Sequence, residues 1–215
     1  MQKKIAVIND LSGYGRCSLT VAIPVLSAMG HQCCPIPTAI LSNHTEFPVY
    51  FFDDYTEKMT TYTDKWKELG LSFDAIATGF LGSEAQIGIV MEIVQKLKAE
   101  KTFVVVDPVM GDHGHAYETY TPEMCEQMKE LVCMADVVLP NVTECCILTD
   151  TPYREENWTR KELLNMAMML RLMGAKSVGI TGVREGSCYT NVVLEQGQYD
   201  AKFIRTRSSG GERPG

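Results

Sequence analysis

Six short apolar runs, each ending in a polar or glycine-bearing turn, constrain this chain more than any other feature of its sequence. The strongest is TFVVVDP, Thr102 to Pro108, in which β-branched residues succeed one another without polar alternation. Such a run suits a central parallel strand covered on both faces. KIAVIN, FDAIATG, ADVVLPN and AKSVGITG repeat the pattern, and HQCCPIPTAIL is extended, its prolines suggesting an edge or irregular strand. Between these runs lie segments of helical period. Cys17 to Met29 is ended by Gly30, and Asp54 to Leu69 is stopped by Gly70. Ser83 caps EAQIGIVMEIVQKLKAE, Thr121-Pro122 opens a helix through Met134, and another helix covers Lys161 to Met173. Strand and helix in alternation predict an α/β domain with a mostly parallel sheet, occupying residues 1–215 as a single domain. CYTNVVLEQGQYDAKFIRT differs, and predicts a hairpin toward one edge.

Composition narrows the class. Of 215 residues, 45% are hydrophobic and 22% charged, which suits one globular domain with a proper core. A net charge of −7 without any Lys/Arg cluster argues against nucleic acid and anionic membranes as partners. No apolar run is long enough to span a bilayer, and the N-terminus enters a strand without a signal-peptide pattern, so the cytoplasm is the expected location. The eight cysteines include no CxxC pair, and reduced thiols acting as small hydrophobes are expected. His113 and His115 in GDHGHAY have weak metal spacing.

In an open α/β sheet ligands gather beyond the carboxyl ends of the strands. At those ends this chain carries Asp10, then SNHT (Ser42 to Thr45), GFLGS (Gly79 to Ser83), DPVMGD (Asp107 to Asp112), PNVTE (Pro140 to Glu144) and TGVREG (Thr181 to Gly186). Asp107 leaves the most apolar strand, which carries its carboxylate to the edge of a low-dielectric layer. Glu144 lies three residues beyond Asn141, so one helical turn brings the two side chains together. Carboxylates beside a polyphosphate repel it unless a divalent cation lies between them, which is how Mg²⁺ is held. Alone, Glu144 reads equally well as a favourable charge at a helix N-terminus. NDLSGYGRCSLTVAIPVLSAMG, Asn9 to Gly30, reads as strand, glycine turn and helix, yet its glycines are not succeeded by the lysine that a phosphate-binding loop requires.

GYGRCSL, TAILSNHT, GFLGS, DPVMGD, PNVTE and ITG, in this order, resemble the pyridoxal kinases of the ribokinase-like superfamily, and among them the bacterial pyridoxal/pyridoxamine kinases. The resemblance spans nearly the whole chain. It implies a ribokinase-like three-layer α/β/α sandwich and ATP- and Mg²⁺-dependent phosphorylation of the 5′-hydroxymethyl group of pyridoxal, pyridoxine or pyridoxamine. Hydroxymethylpyrimidine kinases are the alternative, although their N-terminal Gly-rich turn with a subsequent acid and lysine is missing. A non-catalytic domain that binds a B6 vitamer or a nucleotide is a third reading.

The resemblance also places residues. Asp10 and Cys17 should line the vitamer pocket, with His44 and Thr45 closing from a flap and Phe80 stacking near the ring. Asp107 and Glu144 should act on the magnesium, Glu144 through water. Asn141, Thr181 and Gly182 should lie on the phosphate side, and Asp112 and Tyr120 beside the nucleotide. A monovalent cation is a further candidate cofactor, and a homodimer is the expected assembly. Two positions depart from the family, which often has Ser in place of Asp10 and Tyr in place of Phe80. At Arg213-Pro214-Gly215 the family's sequence leads into a TGD segment whose Asp is the general base. No catalytic base is therefore assigned up to Gly215; a fold missing its C-terminal part, and no turnover by this stretch alone, are the expectations.

Overall fold

The computed structural model describes residues 2–45 and 47–207. The Arg213-Pro214-Gly215 turn lies outside the described residues. The chain forms two compact units, the first running to Val104 and the second beginning at Val105.

The first unit holds β1 (Lys4–Tyr14), α1 (Ser18–Ala28), β2 (Gln32–Asn43), β3 (Phe52–Asp54), α2 (Thr56–Glu68), β4 (Ala75–Thr78) and α3 (Glu84–Leu97). Its strands lie in the order β4-β1-β2-β3. β1 runs parallel to both β2 and β4, and β3 is antiparallel to β2. Ile8, Ile36, Ile76 and Ile87 are fully buried in this unit. Helix starts obey local capping chemistry: Ser83 Oγ accepts from Gln86 N at 3.3 Å, and Asp54 Oδ1 from Thr56 N at 2.7 Å.

One expectation shifts along the chain. The glycine turn comes later than Asn9: β1 continues to Tyr14, paired with β2 as far as Asn43, and Gly15, at φ +119°, lies between it and α1. Between Asn9 and Leu11 the register shifts by one residue, the extra residue lying on β2. The edge or irregular strand expected from the prolines is seen in β2: β3 covers it only at Ala39 to Leu41, so Pro35 and Pro37 fall on the open stretch where a missing N–H costs nothing on that side.

The chain passes into the second unit within β5 (Phe103–Val106), and continues through β6 (Gly111–Asp112), β7 (His115–Ala116), α4 (Pro122–Cys133), β8 (Val137–Val138), α5 (Val142–Thr149), α6 (Arg160–Met173), β9 (Ser177–Glu185), β10 (Cys188–Leu194) and β11 (Lys202–Arg207). The strand order is β11-β10-β9-β8-β5. β5, β8 and β9 are parallel, and β10 and β11 add the expected antiparallel hairpin at the edge. β6 and β7 form a small hairpin through His113 and Gly114, both at positive φ. Asn141 and Thr159 each close a capping box, at α5 and α6. The α/β fold with a mostly parallel sheet is thus present. All eight cysteines are free, and among the described residues no helix is long and apolar enough to cross a membrane.

Candidate active site

In the second unit the candidate residues gather around two carboxylates. Asp107 lies just past β5, and burial pushes its carboxyl up to about 6. Glu144, in the first turn of α5, is only 3% exposed. Burial, aided by the neighbouring charges of Asp107 and Asp112, pushes it up to about 8, against the opposing effect of two backbone N–H donors. Those donors are Met110 N, at 3.2 Å from Oε1, and Asn141 N, at 2.7 Å from Oε2.

Asn141 is committed at both ends of its amide. Oδ1 accepts from Glu144 N at 2.8 Å, and Nδ2 donates to the Gly111 carbonyl at 2.8 Å. One side chain therefore ties the start of α5 to the segment that carries Asp112. Gly114 N donates to Thr143 Oγ1 at 2.9 Å, which holds the β6–β7 hairpin against α5 from a second point. Thr181 pairs with Asn141 through an isolated parallel bridge, and its N–H reaches the Pro140 carbonyl at 2.8 Å. Gly182 sits at φ +68°, a conformation that favours glycine, and its N–H donates to Asn191 Oδ1 at 3.1 Å. Tyr120 is 7% exposed, and its hydroxyl has no hydrogen-bond partner among the described residues. Burial, with Cys125 and Glu144 nearby, raises it far above the ordinary phenol range.

The donor set suits a divalent cation shared with phosphate. Two buried carboxyl groups, each raised because burial outweighs what offsets its charge, are what a hard cation would satisfy. Among the described residues no group of three His, Cys, Asp or Glu side chains forms an all-protein cage. His113 and His115 thus contribute to no such cluster.

In the first unit Asp10 is 6% exposed and lies at the register shift of β1. The extra residue at this shift belongs to β2, opposite Asp10. Its Oδ2 accepts from Ser12 Oγ at 2.9 Å. Asn9 Oδ1 accepts from both Asp10 N and Phe80 N, each at 3.0 Å, and so fixes the two predicted pocket residues together. A Cβ on Gly79 would lie 2.3 Å from Asn9 Nδ2, so only glycine admits this side chain. The Phe80 carbonyl accepts from Thr38 Oγ1 at 3.0 Å. Gln86, buried in α3, accepts from Gly82 N and donates to the Thr38 carbonyl, each at 2.8 Å.

Cys17 is the N-cap position of α1 without a side-chain cap bond, and its carbonyl accepts from Thr20 Oγ1 at 2.7 Å. His44 and Thr45 lie just past β2, and the His44 ring packs on Phe47 with centroids 4.6 Å apart. Phe47 also meets Tyr14 edge-on at 5.8 Å. Sequence reasoning missed Asn9, Thr38, Gln86, Thr143 and Asn191. Ser83-x-x-Gln86 has the spacing of a capping box, which is the only signal any of them gave.

Comparison with known proteins gives the chain relatives in sequence and in structure. The chain is 29% identical over 190 residues to a pyridoxal kinase of Dictyostelium discoideum, covering 85% of this chain and 61% of that protein. A Bacteroides thetaiotaomicron protein, solved under the name of a candidate phosphomethylpyrimidine kinase, superposes with a TM-score of 0.95 at 40% identity, over 100% of this chain and 74% of that one. Its orthorhombic crystal form, with pyridoxal, gives a TM-score of 0.90 at 41% identity, over 96% and 73% of the two chains. The pyridoxal kinase of Lactobacillus plantarum matches with a TM-score of 0.87 at 28% identity, over 98% and 74%. The chain thus spans less than two thirds of the curated Dictyostelium relative. The model of the phosphomethylpyrimidine kinase family matches residues 22–212, from within α1 through β11, with Asp10 and Cys17 lying before the match, and the chain belongs to that family.

Proposed function

We propose that this chain is the greater part of an ATP- and Mg²⁺-dependent kinase that phosphorylates the 5′-hydroxymethyl group of a B6 vitamer. The observation that carries this reading is the likeness, at 41% identity over 96% of the chain, to a protein whose crystal form contains pyridoxal. The first unit supplies the vitamer residues: Asp10 and Cys17 at the pocket, Phe80 against the ring, and His44 with Thr45 as the flap. The second unit supplies the nucleotide side. Thr181 and Gly182 lie beside the phosphates, and Asp112 and Tyr120 border the nucleotide. Asn141 acts there by holding Glu144 and the Gly111 carbonyl in place.

Asp107 and Glu144 would hold the Mg²⁺. Glu144 would reach it through water, since both of its oxygens already accept backbone N–H groups. The ion supplies neutralisation of the phosphate oxygens, the main requirement of phosphoryl transfer besides positioning. A monovalent cation would add to the same neutralisation.

The assembly we propose is a homodimer in the cytoplasm. Its support is α1, in which Leu19 alone is buried while Val21 and Val25, one turn apart, are exposed on a stripe continued by Met29 just after it. An apolar helix face left open in this way favours a protein partner.

The family's name favours a second reading, phosphorylation of hydroxymethylpyrimidine. A coupled ATP-consumption assay with pyridoxal, pyridoxine, pyridoxamine and the aminopyrimidine alcohol, with and without Mg²⁺, separates the two. Turnover of the B6 vitamers supports the proposal, and turnover of the pyrimidine alone overturns it. In the full-length protein, vitamer binding without any turnover would point to the non-catalytic domain.

A further inference from the structure

Asp10 is a carboxylate buried to 6% exposure, and its surroundings do little to offset its charge. Among the described residues no Lys, Arg or His is within ion-pair distance of it, and Ser12 Oγ, at 2.9 Å from Oδ2, is its side-chain donor. One neutral hydroxyl is a poor exchange for the water that such a group gives up. Asp10 faces the extra residue of β2 at the register shift, and Asn9 Oδ1 binds the Asp10 and Phe80 N–H groups at once. Phe80 is held from its other side by Thr38 Oγ1, and Thr38 by Gln86. One side chain thus holds the backbone N–H groups of the two residues that carry an under-compensated carboxylate and an aromatic ring. That pair has the chemistry to receive a cationic N–H on a flat ring: the carboxylate takes the charged hydrogen bond and the ring face takes the stack.

We infer that Asp10 selects the protonated, cationic form of the substrate, accepting an N–H⁺ hydrogen bond on the oxygen that Ser12 leaves open, with Asn9 as the residue that positions it. The inference rests on the proposed B6 reading and adds the charge state of the ligand that the pocket takes. The N–H⁺ has two sources, the ring nitrogen of a pyridinium and the ammonium of an aminomethyl group.

Calorimetric titration of the purified protein and its Asp10→Asn and Asp10→Ser variants distinguishes them. The ligands are pyridoxine, pyridoxamine and a benzene analogue of pyridoxine that lacks the ring nitrogen. Asn keeps an acceptor for Ser12, and Ser offers a smaller neutral side chain, so at least one variant should retain the wild-type melting temperature. Losing a hydrogen bond to a charged group should weaken binding roughly 10- to 100-fold. If the ring nitrogen is the source, pyridoxine and pyridoxamine both lose this factor, and the benzene analogue binds wild type and variants alike. If the ammonium is the source, only pyridoxamine loses it. Equal losses for all three ligands, or no loss for any, overturn the inference while leaving the kinase reading intact. Wild-type protein that binds no vitamer overturns both. Asn9→Ala should weaken the same cationic ligands, with Asn9→Asp restoring part of the affinity because its oxygen can again accept both N–H groups. An Asn9→Ala variant that melts like wild type and binds every ligand as tightly removes Asn9 from the account.

Discussion

Raising the pH should destabilise the folded chain, and the loss should trace to Glu144 and Asp107. Burial lifts the Glu144 carboxyl from 4.5 to about 8 and the Asp107 carboxyl from 3.8 to about 6. Below their ordinary values both groups are protonated in the folded and the unfolded chain alike, and no penalty arises. As the pH climbs, the unfolded chain gives up the Glu144 proton while the folded chain keeps it, so folding stability falls at about 1.4 kcal/mol per pH unit. Between about pH 5 and pH 8 Glu144 alone should remove about 3 kcal/mol, and Asp107, whose window closes near pH 6, on the order of 1 kcal/mol more. That is a large share of the roughly 5–15 kcal/mol typical of a domain. Urea unfolding monitored by the fluorescence of Trp66 and Trp158, at fixed ionic strength from about pH 5.5 to 8.5, measures it across the window in which the two carboxyls titrate. Glu144→Gln supplies the control. Its amide can accept from only one of the Met110 and Asn141 N–H groups, an offset of about 1–3 kcal/mol that does not vary with pH. The variant should therefore be less stable than wild type at the acid end of the range but show a much flatter profile. A variant with the full wild-type slope, or wild-type stability that rises toward the alkaline end, would refute the burial argument.

The same geometry makes three other outcomes measurable. Asp107→Asn should weaken ATP binding about 10-fold or more in Mg²⁺ and leave it unchanged or tighter in EDTA, as titration calorimetry can read; equal losses in both would make the carboxylate structural. Gly79→Ala should cost about 2 kcal/mol in urea unfolding, because its methyl group would occupy the place of the Asn9 amide, 2.3 Å away; a neutral effect would mean that Asn9 does not fix Phe80. Val25→Glu with Met29→Glu should convert a dimer to a monomer in sedimentation without lowering the melting temperature of the monomer; a wild type that sediments as a monomer rejects the proposed assembly.

Much of the fold was legible because strand and helix periods, caps and breakers agree locally. Ser83, Thr121 and Asn141 cap the helices that begin after them, and Gly30 and Gly70 stand just past the ends of α1 and α2. The hairpin of β10 and β11 was visible from EQGQ alone. Strand pairing was hidden. Whether β1 ends at Asn9 or continues to Tyr14 depends on how far β2 runs beside it, and that partner is a separate stretch of chain beyond α1. Gly13 made the local reading a turn, and the partner strand overrode it, leaving Gly15, at φ +119°, to begin the turn.

The candidate site shows the same division at finer grain. Asp107 and Glu144 could be found because charge at the end of an apolar strand, or at the first turn of a helix, is anomalous in a single dimension. Asn9, Thr38 and Gln86 could not, since a polar residue looks ordinary until its acceptor is known. Yet these three decide where Phe80 and Asp10 stand, by five hydrogen bonds that involve backbone groups of β1, β2 and the β4–α3 loop. A backbone N–H or carbonyl carries no mark in the sequence that distinguishes one position from the next. Residues that act by binding such groups are therefore invisible to motif reading even when they govern specificity. Gly79 is the exception: the clash of any Cβ with Asn9 leaves glycine as the trace of a contact made far along the chain. Read alone, that glycine belongs to a loop; beside Asn9, it is the space that lets one side chain hold Asp10 and Phe80 together.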